Sequence, residues 1–245
     1  MARQIVQQRL KRVDGLKSFW TSELEKVANQ LERLMRDNIA ATSAGNATID
    51  AALARAQVQA LLTESGYYTA VGNLFSNGYQ EIIDGLFTDY KKLLPQLQFT
   101  DASSKMLQMI KDRDLQIFMD LSETQATNLQ RVLLNYSFGV ADRQAAFDEL
   151  NSITGDFTNT SSLAVDTAIS GFEQITSNMI ATDSGITEFE LVGPDDNITR
   201  PWCAEHLGQV HTLEEWDKMD NGQIDPVSIY AGGYNCRHTL EAVVS

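Results

Sequence analysis

Both cysteines and all three histidines of this 245-residue sequence fall between Cys203 and His238. They read Cys203-x-x-His206, then His211, then Cys236-x-His238. Thiolate sulfur and imidazole nitrogen are the ligands that zinc takes four at a time in tetrahedral geometry, commonly from two short knuckles. Cys203 and His206 form a first knuckle. Cys236 and His238 form a second, because residues two apart in an extended segment point to one face. A structural zinc held by Cys203, His206, Cys236 and His238 is therefore expected, with His211 as an alternate ligand. The same residues admit three other readings. Cys203 and Cys236 could pair as a disulfide, or remain buried thiols beside hydrogen-bonded histidines, or supply a Cys203 nucleophile with a histidine base. A closed four-ligand site would be structural, whereas activating water needs an open position.

The residues framing this grouping have turn and core chemistry. Asp196-x-x-Thr199-Arg200-Pro201-Trp202 precedes the first cysteine, and Gly232-Gly233-Tyr234-Asn235 precedes the second. Asp and Thr order turns through side-chain to backbone hydrogen bonds, and an Arg in such a place pairs with a local carboxylate. The two glycines supply positive-φ geometry, and Trp202 and Trp216 are expected to fill the core. No Walker-type phosphate loop, Gly-x-Ser-x-Gly elbow or His-Glu-x-x-His occurs.

The elements that must position these residues change character near 181–185. Before that point the pattern is helical. Val6, Val13, Trp20, Val27 and Leu34 recur every seven residues, as do Leu10, Lys17, Leu24 and Leu31. This a/d pattern suits a coiled coil or a helix packed along a partner of its own chain. Further helices are predicted over 49–63 and 68–94, the latter stopped by Pro95, and over 103–121. Ser122-x-x-Gln125 has the form of a capping box opening a new helix. Shorter and longer helices follow over 142–153 and 161–180. Strands are predicted over 186–192 and 239–244, and Thr212-x-x-Glu215 can cap a short helix. The fold class is α+β: a mostly helical body over 1–182, then a small metal-braced α+β module over 183–245. A module this small commonly needs a metal, a disulfide or docking onto another domain.

Composition bounds the partners. A hydrophobic share of 43% with 21% charged residues fits a folded globular chain. No apolar run is long enough for a membrane helix, and no secretory signal is visible at the start. The net charge of −14 is uneven, with residues 1–40 carrying eight Lys/Arg against five Asp/Glu. An acidic remainder argues against a broad nucleic-acid surface. Only Arg3, Arg9, Lys11, Arg12 and Lys17 could form a modest basic face, more simply a solvated one.

Asp196-x-x-Thr199-Arg200-Pro201-Trp202-Cys203, then Gly208, Trp216 and Asn235-Cys236-Arg237-His238, resembles the C-terminal domain of phage Mu F-like head morphogenesis proteins. The resemblance spans roughly residues 186–244. One departure is Tyr234, where many members carry His-Pro before the Asn, with His206 as compensation. The resemblance implies a minor capsid protein of a tailed bacteriophage, made in the host cytoplasm and built into the virion head. Its implied partners are the portal protein or the major capsid protein, and its implied work is head assembly or genome packaging and release; self-association through the 6–34 heptad is the separate expectation from the a/d pattern. A different class of function, an effector or hydrolase using the Cys/His centre, is the alternative, since similar modules occur in delivered effectors. No complete catalytic motif supports it.

Overall fold

The computed structural model describes residues 2–42, 50–93, 97 and 100–243, and side chains from residue 7 onward except that of Leu93. The Val6 side chain, residues 43–48 of the expected polar break, the Pro95 stop and Val244 lie outside the described residues.

Five helices dominate the first 183 positions: α1 (Ala2–Ala41), α2 (Ala51–Glu64), α3 (Tyr67–Asn73), α4 (Tyr79–Leu93) and α5 (Asp101–Ser137). A sixth, α6, runs over Arg143–Asp183. Asp50 caps α2 by accepting from the Leu53 amide at 2.8 Å. Between α3 and α4 the backbone makes one wide π-helical turn, Leu74–Gly78, where a single continuous helix was expected. The glycines that weaken this stretch let the hydrogen bonding step out by one residue.

Two expected helix breaks are absent. Ser122 does not open a helix; it lies inside α5, where its hydroxyl donates to the Met119 carbonyl at 2.7 Å. The segments 142–153 and 161–180 are likewise one helix. Across the supposed gap, the hydroxyls of Thr154, Thr158 and Thr160 donate to carbonyls four residues back. Such back-bonding satisfies polar side chains within the helix, so nothing forces the chain to leave it.

The buried face of α1 includes Val13, Leu16, Trp20, Leu24, Val27, Leu31, Met35 and Ile39. It begins on the heptad and then drifts to Met35 in place of Leu34, which is half-buried. That drift is the 3.6-residue period of a straight helix against its own chain's core.

After α6 come β1 (Phe189–Val192), α7 (Pro201–His206), β2 (Val210–His211), α8 (Leu213–Trp216), α9 (Val227–Tyr230) and β3 (Thr239–Ala242). The strands form one antiparallel sheet in the order β2-β1-β3, with Leu191 opposite Leu240 and Phe189 opposite His211. Phe189 and Leu191 turn one face of β1 inward, as alternation requires. Thr212 and Glu215 make the expected capping box at α8.

The chain forms two compact units. One comprises Phe19–Phe75 and Asp114–Ala164; within it the Tyr67 hydroxyl donates to the Phe118 carbonyl at 2.6 Å, and Phe75 meets Phe118 edge-on. The other comprises Met1–Ser18, Ser76–Arg113 and Val165–Ser245. Helix α6 ends at Asp183, and the compact unit runs on across the expected 182/183 boundary. Residues 183–245 belong with the end of α6, α4 and the start of α1, and three sets of buried contacts explain why. Gln174 of α6 accepts from the Leu240 amide and donates to its carbonyl, both at 2.9 Å, so a side-chain amide covers the outer edge of β3. Asn178 donates to the Ser228 carbonyl at 2.7 Å. Arg9 of α1 pairs with Glu173 of α6 and with Glu241 of β3. Docking, one of the three expected supports of so small a module, is thus built in.

Candidate metal centre

Arg200 and Pro201 start α7. Pro at the first helical position gives up an amide that would have no helical partner anyway. Two residues later Cys203 points inward, with 1% of its surface exposed. The second half of the centre comes from the approach to β3. There Asn235 takes a left-handed conformation (φ 52°), tolerated by Asn, and the chain then presents Cys236 and, two residues on, the buried His238.

Ligand atoms of Cys203, Cys236 and His238 all lie within 4.8 Å of one another and could hold a metal ion. The two sulfurs are 3.7 Å apart and both thiols are free. Cys236 Sγ lies 3.8 Å from His238 Nδ1. A tetrahedral ion with metal–sulfur bonds of about 2.3 Å has a sulfur–sulfur edge of about 3.8 Å, whereas a disulfide closes to about 2.05 Å. The spacing fits the former. His238 Nε2 is buried without a hydrogen-bond partner, which marks this imidazole as a group with spare ligand capacity.

Backbone makes room for the cluster. A Cβ on Gly232 would collide with Cys203 Sγ and stand 3.1 Å from Cys236 Sγ. A Cβ on Gly193 would run into the His238 ring. Gly233 has the expected positive φ, at 99°, but Gly232 does not; its role is close approach to sulfur.

Around this cluster the framing residues form a single set of polar contacts. Arg200 donates to the carbonyls of Gly232 (2.8 Å) and Tyr234 (2.5 Å), so it holds the loop before Cys236. Asp196 orders its own turn by accepting from the Ile198 amide, and Thr199 donates to the Pro194 carbonyl. Both carboxylate oxygens of Asp196 then receive Arg237, at 2.6 and 2.8 Å. The Arg237 hydrogen bonds come first among the causes that hold Asp196 well below the usual carboxylate range. Gly208, at φ 78°, turns the chain out of α7 while its amide bonds the Leu191 carbonyl. Trp216 is fully buried and donates to the Phe189 carbonyl at 3.0 Å.

The two sulfurs behave differently. Cys236 Sγ accepts from the Cys203 thiol, the Gly232 amide and the His238 amide. The bond from Cys203 leads the causes that lower Cys236 below the usual thiol range, against the opposing effect of burial. The proton stays with Cys203, pushed far up by that same bond and then by burial. Cys203 is therefore a buried thiol with little nucleophilic character, and thiolate character resides on Cys236.

His206 stands outside the three-residue group, and so does the alternate ligand His211. The His206 Nδ1–H donates to the Trp202 carbonyl at 2.8 Å, and its ring stacks on Trp202 with centroids 4.3 Å apart. His211 Nε2 donates to Gln209 at 3.1 Å, with the ring edge-on to Trp216. Both rings are occupied by an aromatic cluster beside the cysteines. Sequence reasoning missed Gly193 and the role of Gly232; their nearness to the ligands in sequence was the available signal for Gly232, and none existed for Gly193.

No protein-family profile, curated protein sequence or solved structure matches this chain.

Proposed function

We propose that this chain is a Mu F-like minor capsid protein of a tailed bacteriophage, incorporated into the head beside the portal or the capsid interior. In this reading its C-terminal module is a zinc-braced recognition cap. One observation carries the reading. The scattered residues of the Mu F-like pattern are direct partners around one cluster: Arg200 on the Gly232 loop, Asp196 on Arg237, Cys203 on Cys236. Residues wired to one another in this way brace a structure. Two thiolates and one imidazole suit zinc, which favours mixed sulfur and nitrogen ligands and needs no particular d-electron geometry. Cys203, Cys236 and His238 would hold the ion, tying α7 to the segment that enters β3.

The three-ligand count favours a second reading, a hydrolytic effector centre, because an ion with three protein ligands keeps an open position. Burial weighs against it. Cys203 and His238 are both buried, and the backbone of Gly193 and Gly232 packs directly on the ligands. Bracing suits such a site better than turnover.

The test is incorporation. Co-expressed with portal and major capsid proteins, where such genes neighbour its own, the chain should sediment with assembled heads. A Cys203→Ser variant should be lost from them. Wild-type chain that stays at the top of the gradient while heads form would overturn the capsid reading. Metal analysis of the same sample separately tests the zinc.

A further inference from the structure

Among the described residues, the guanidinium of Arg9, 2% exposed, is the one cation in a buried cluster with two carboxylates. Its Nε faces Glu173 of α6, its Nη1 donates to Glu241 of β3 at 2.7 Å, and its Nη2 donates to the Thr239 hydroxyl at 3.1 Å. Glu173 is 4% exposed, and the second oxygen of Glu241 is buried with no hydrogen-bond partner. From α4, the buried Tyr90 hydroxyl bonds Ser177 at 2.7 Å and faces the same charges. With both carboxylates ionised the cluster carries one uncompensated negative charge away from water, a costly arrangement. Binding one proton makes it neutral.

We propose that Arg9, Glu173 and Glu241 form a proton-operated latch that fastens strand β3 to helices α1 and α6. With one proton on the carboxylate pair, β3 is held; loss of that proton leaves a buried anion and loosens it. Burial leads the causes that raise Glu241 from 4.5 to about 7; Arg9 opposes this and Glu173 adds to it. Tyr90 is raised in the same way, chiefly by burial, and stays neutral. The sign follows from linkage. The folded value lies above the unfolded one, so the contribution is fully present below about 4.5 and is lost as pH rises through about 7. The latch belongs to the docking contact rather than to the metal cluster, so it stands apart from the capsid reading.

Hydrogen exchange of the β3 amides in the full chain, corrected for the intrinsic pH dependence of exchange, reads the latch directly. Protection should fall about tenfold between pH 6 and pH 8.5, as one proton titrating near 7 requires. Glu241→Gln and Glu173→Gln each leave one carboxylate opposite Arg9, so each should keep full protection at pH 8.5. The double variant strands Arg9 and should be loose at both pH values. Wild-type protection that does not change with pH, or a single variant that changes as wild type does, overturns the proposal. So does failure of both single variants to fold, because the neutral cluster is the fastened form.

Discussion

Arg200 donates a 2.8 Å hydrogen bond to the carbonyl of Gly232, so the residue that opens the first cysteine helix also holds the loop before the second cysteine. Gly232 in turn sends its amide to Cys236 Sγ at 3.3 Å and leaves no room for a Cβ beside Cys203 Sγ. The two halves of the centre are thus set against each other by backbone before any ion is added. Preorganisation of this kind reduces what an ion must order on binding.

Gly232→Ala tests that arrangement. The added methyl has to displace a sulfur, so affinity for an added metal ion, measured by competition with a chromophoric chelator, should fall at least about tenfold. Gly222→Ala is the control: unlike Gly232 it has positive φ, and it lies in open space, so it strains a neighbouring turn without touching the ligands. Equal losses in the two variants would show that general disturbance of the module, and not crowding of the sulfurs, is responsible.

Thiol labelling separates the two cysteines. In chelator-treated protein Cys236 should react with iodoacetamide with a weaker pH dependence from pH 6 to pH 9 than an ordinary thiol, because its contacts favour the thiolate. An ordinary thiol speeds up about tenfold per pH unit below its pKa of about 8.5 and levels off above it. Cys203, buried and protonated, should label only after the module opens. Peptide mass analysis at several times distinguishes them, and early modification of Cys203 would reverse the assignment.

The buried face of α1 predicts a stability effect. Trp20 is 7% exposed and meets Phe19 edge-on, so Trp20→Ala opens a cavity costing about 3–5 kcal/mol in denaturant unfolding. Phe19→Ala, at a 53% exposed position, should cost far less. A loss below about 1 kcal/mol at Trp20 would mean this face is not core.

Much of this was legible in the residues, and the failures have physical causes. Confinement of every Cys and His to residues 203–238 identified the centre, and Thr212-x-x-Glu215 forms the capping box it spells. Ser122-x-x-Gln125 spells a similar box but sits inside α5, because a serine hydroxyl can bond a carbonyl of the preceding turn as readily as a free amide. Arg9 read as part of a solvated basic face. No local pattern could link it to Glu173 and Glu241, which lie 164 and 232 positions away in sequence. Arg12 also turns inward, onto Asp89 at 2.7 Å.

His206, expected as a ligand from its spacing, gives the sharpest remaining test. Its spacing from Cys203 is right for a knuckle, yet in α7 its ring stacks on Trp202 and its Nδ1–H is committed to the Trp202 carbonyl. His238, by contrast, brings a ring nitrogen to within 3.8 Å of Cys236 Sγ. His206→Ala should therefore leave metal stoichiometry unchanged and lose only stacking, worth about 0.5–1.5 kcal/mol. His238→Ala should remove most of any bound metal, since it deletes one of the three residues grouped to hold an ion and leaves a poor two-sulfur site. Elemental analysis of both variants after identical dialysis checks this. Loss of metal from the His206 variant would mean that its ring leaves Trp202 and swings onto the ion, which would restore a four-ligand centre.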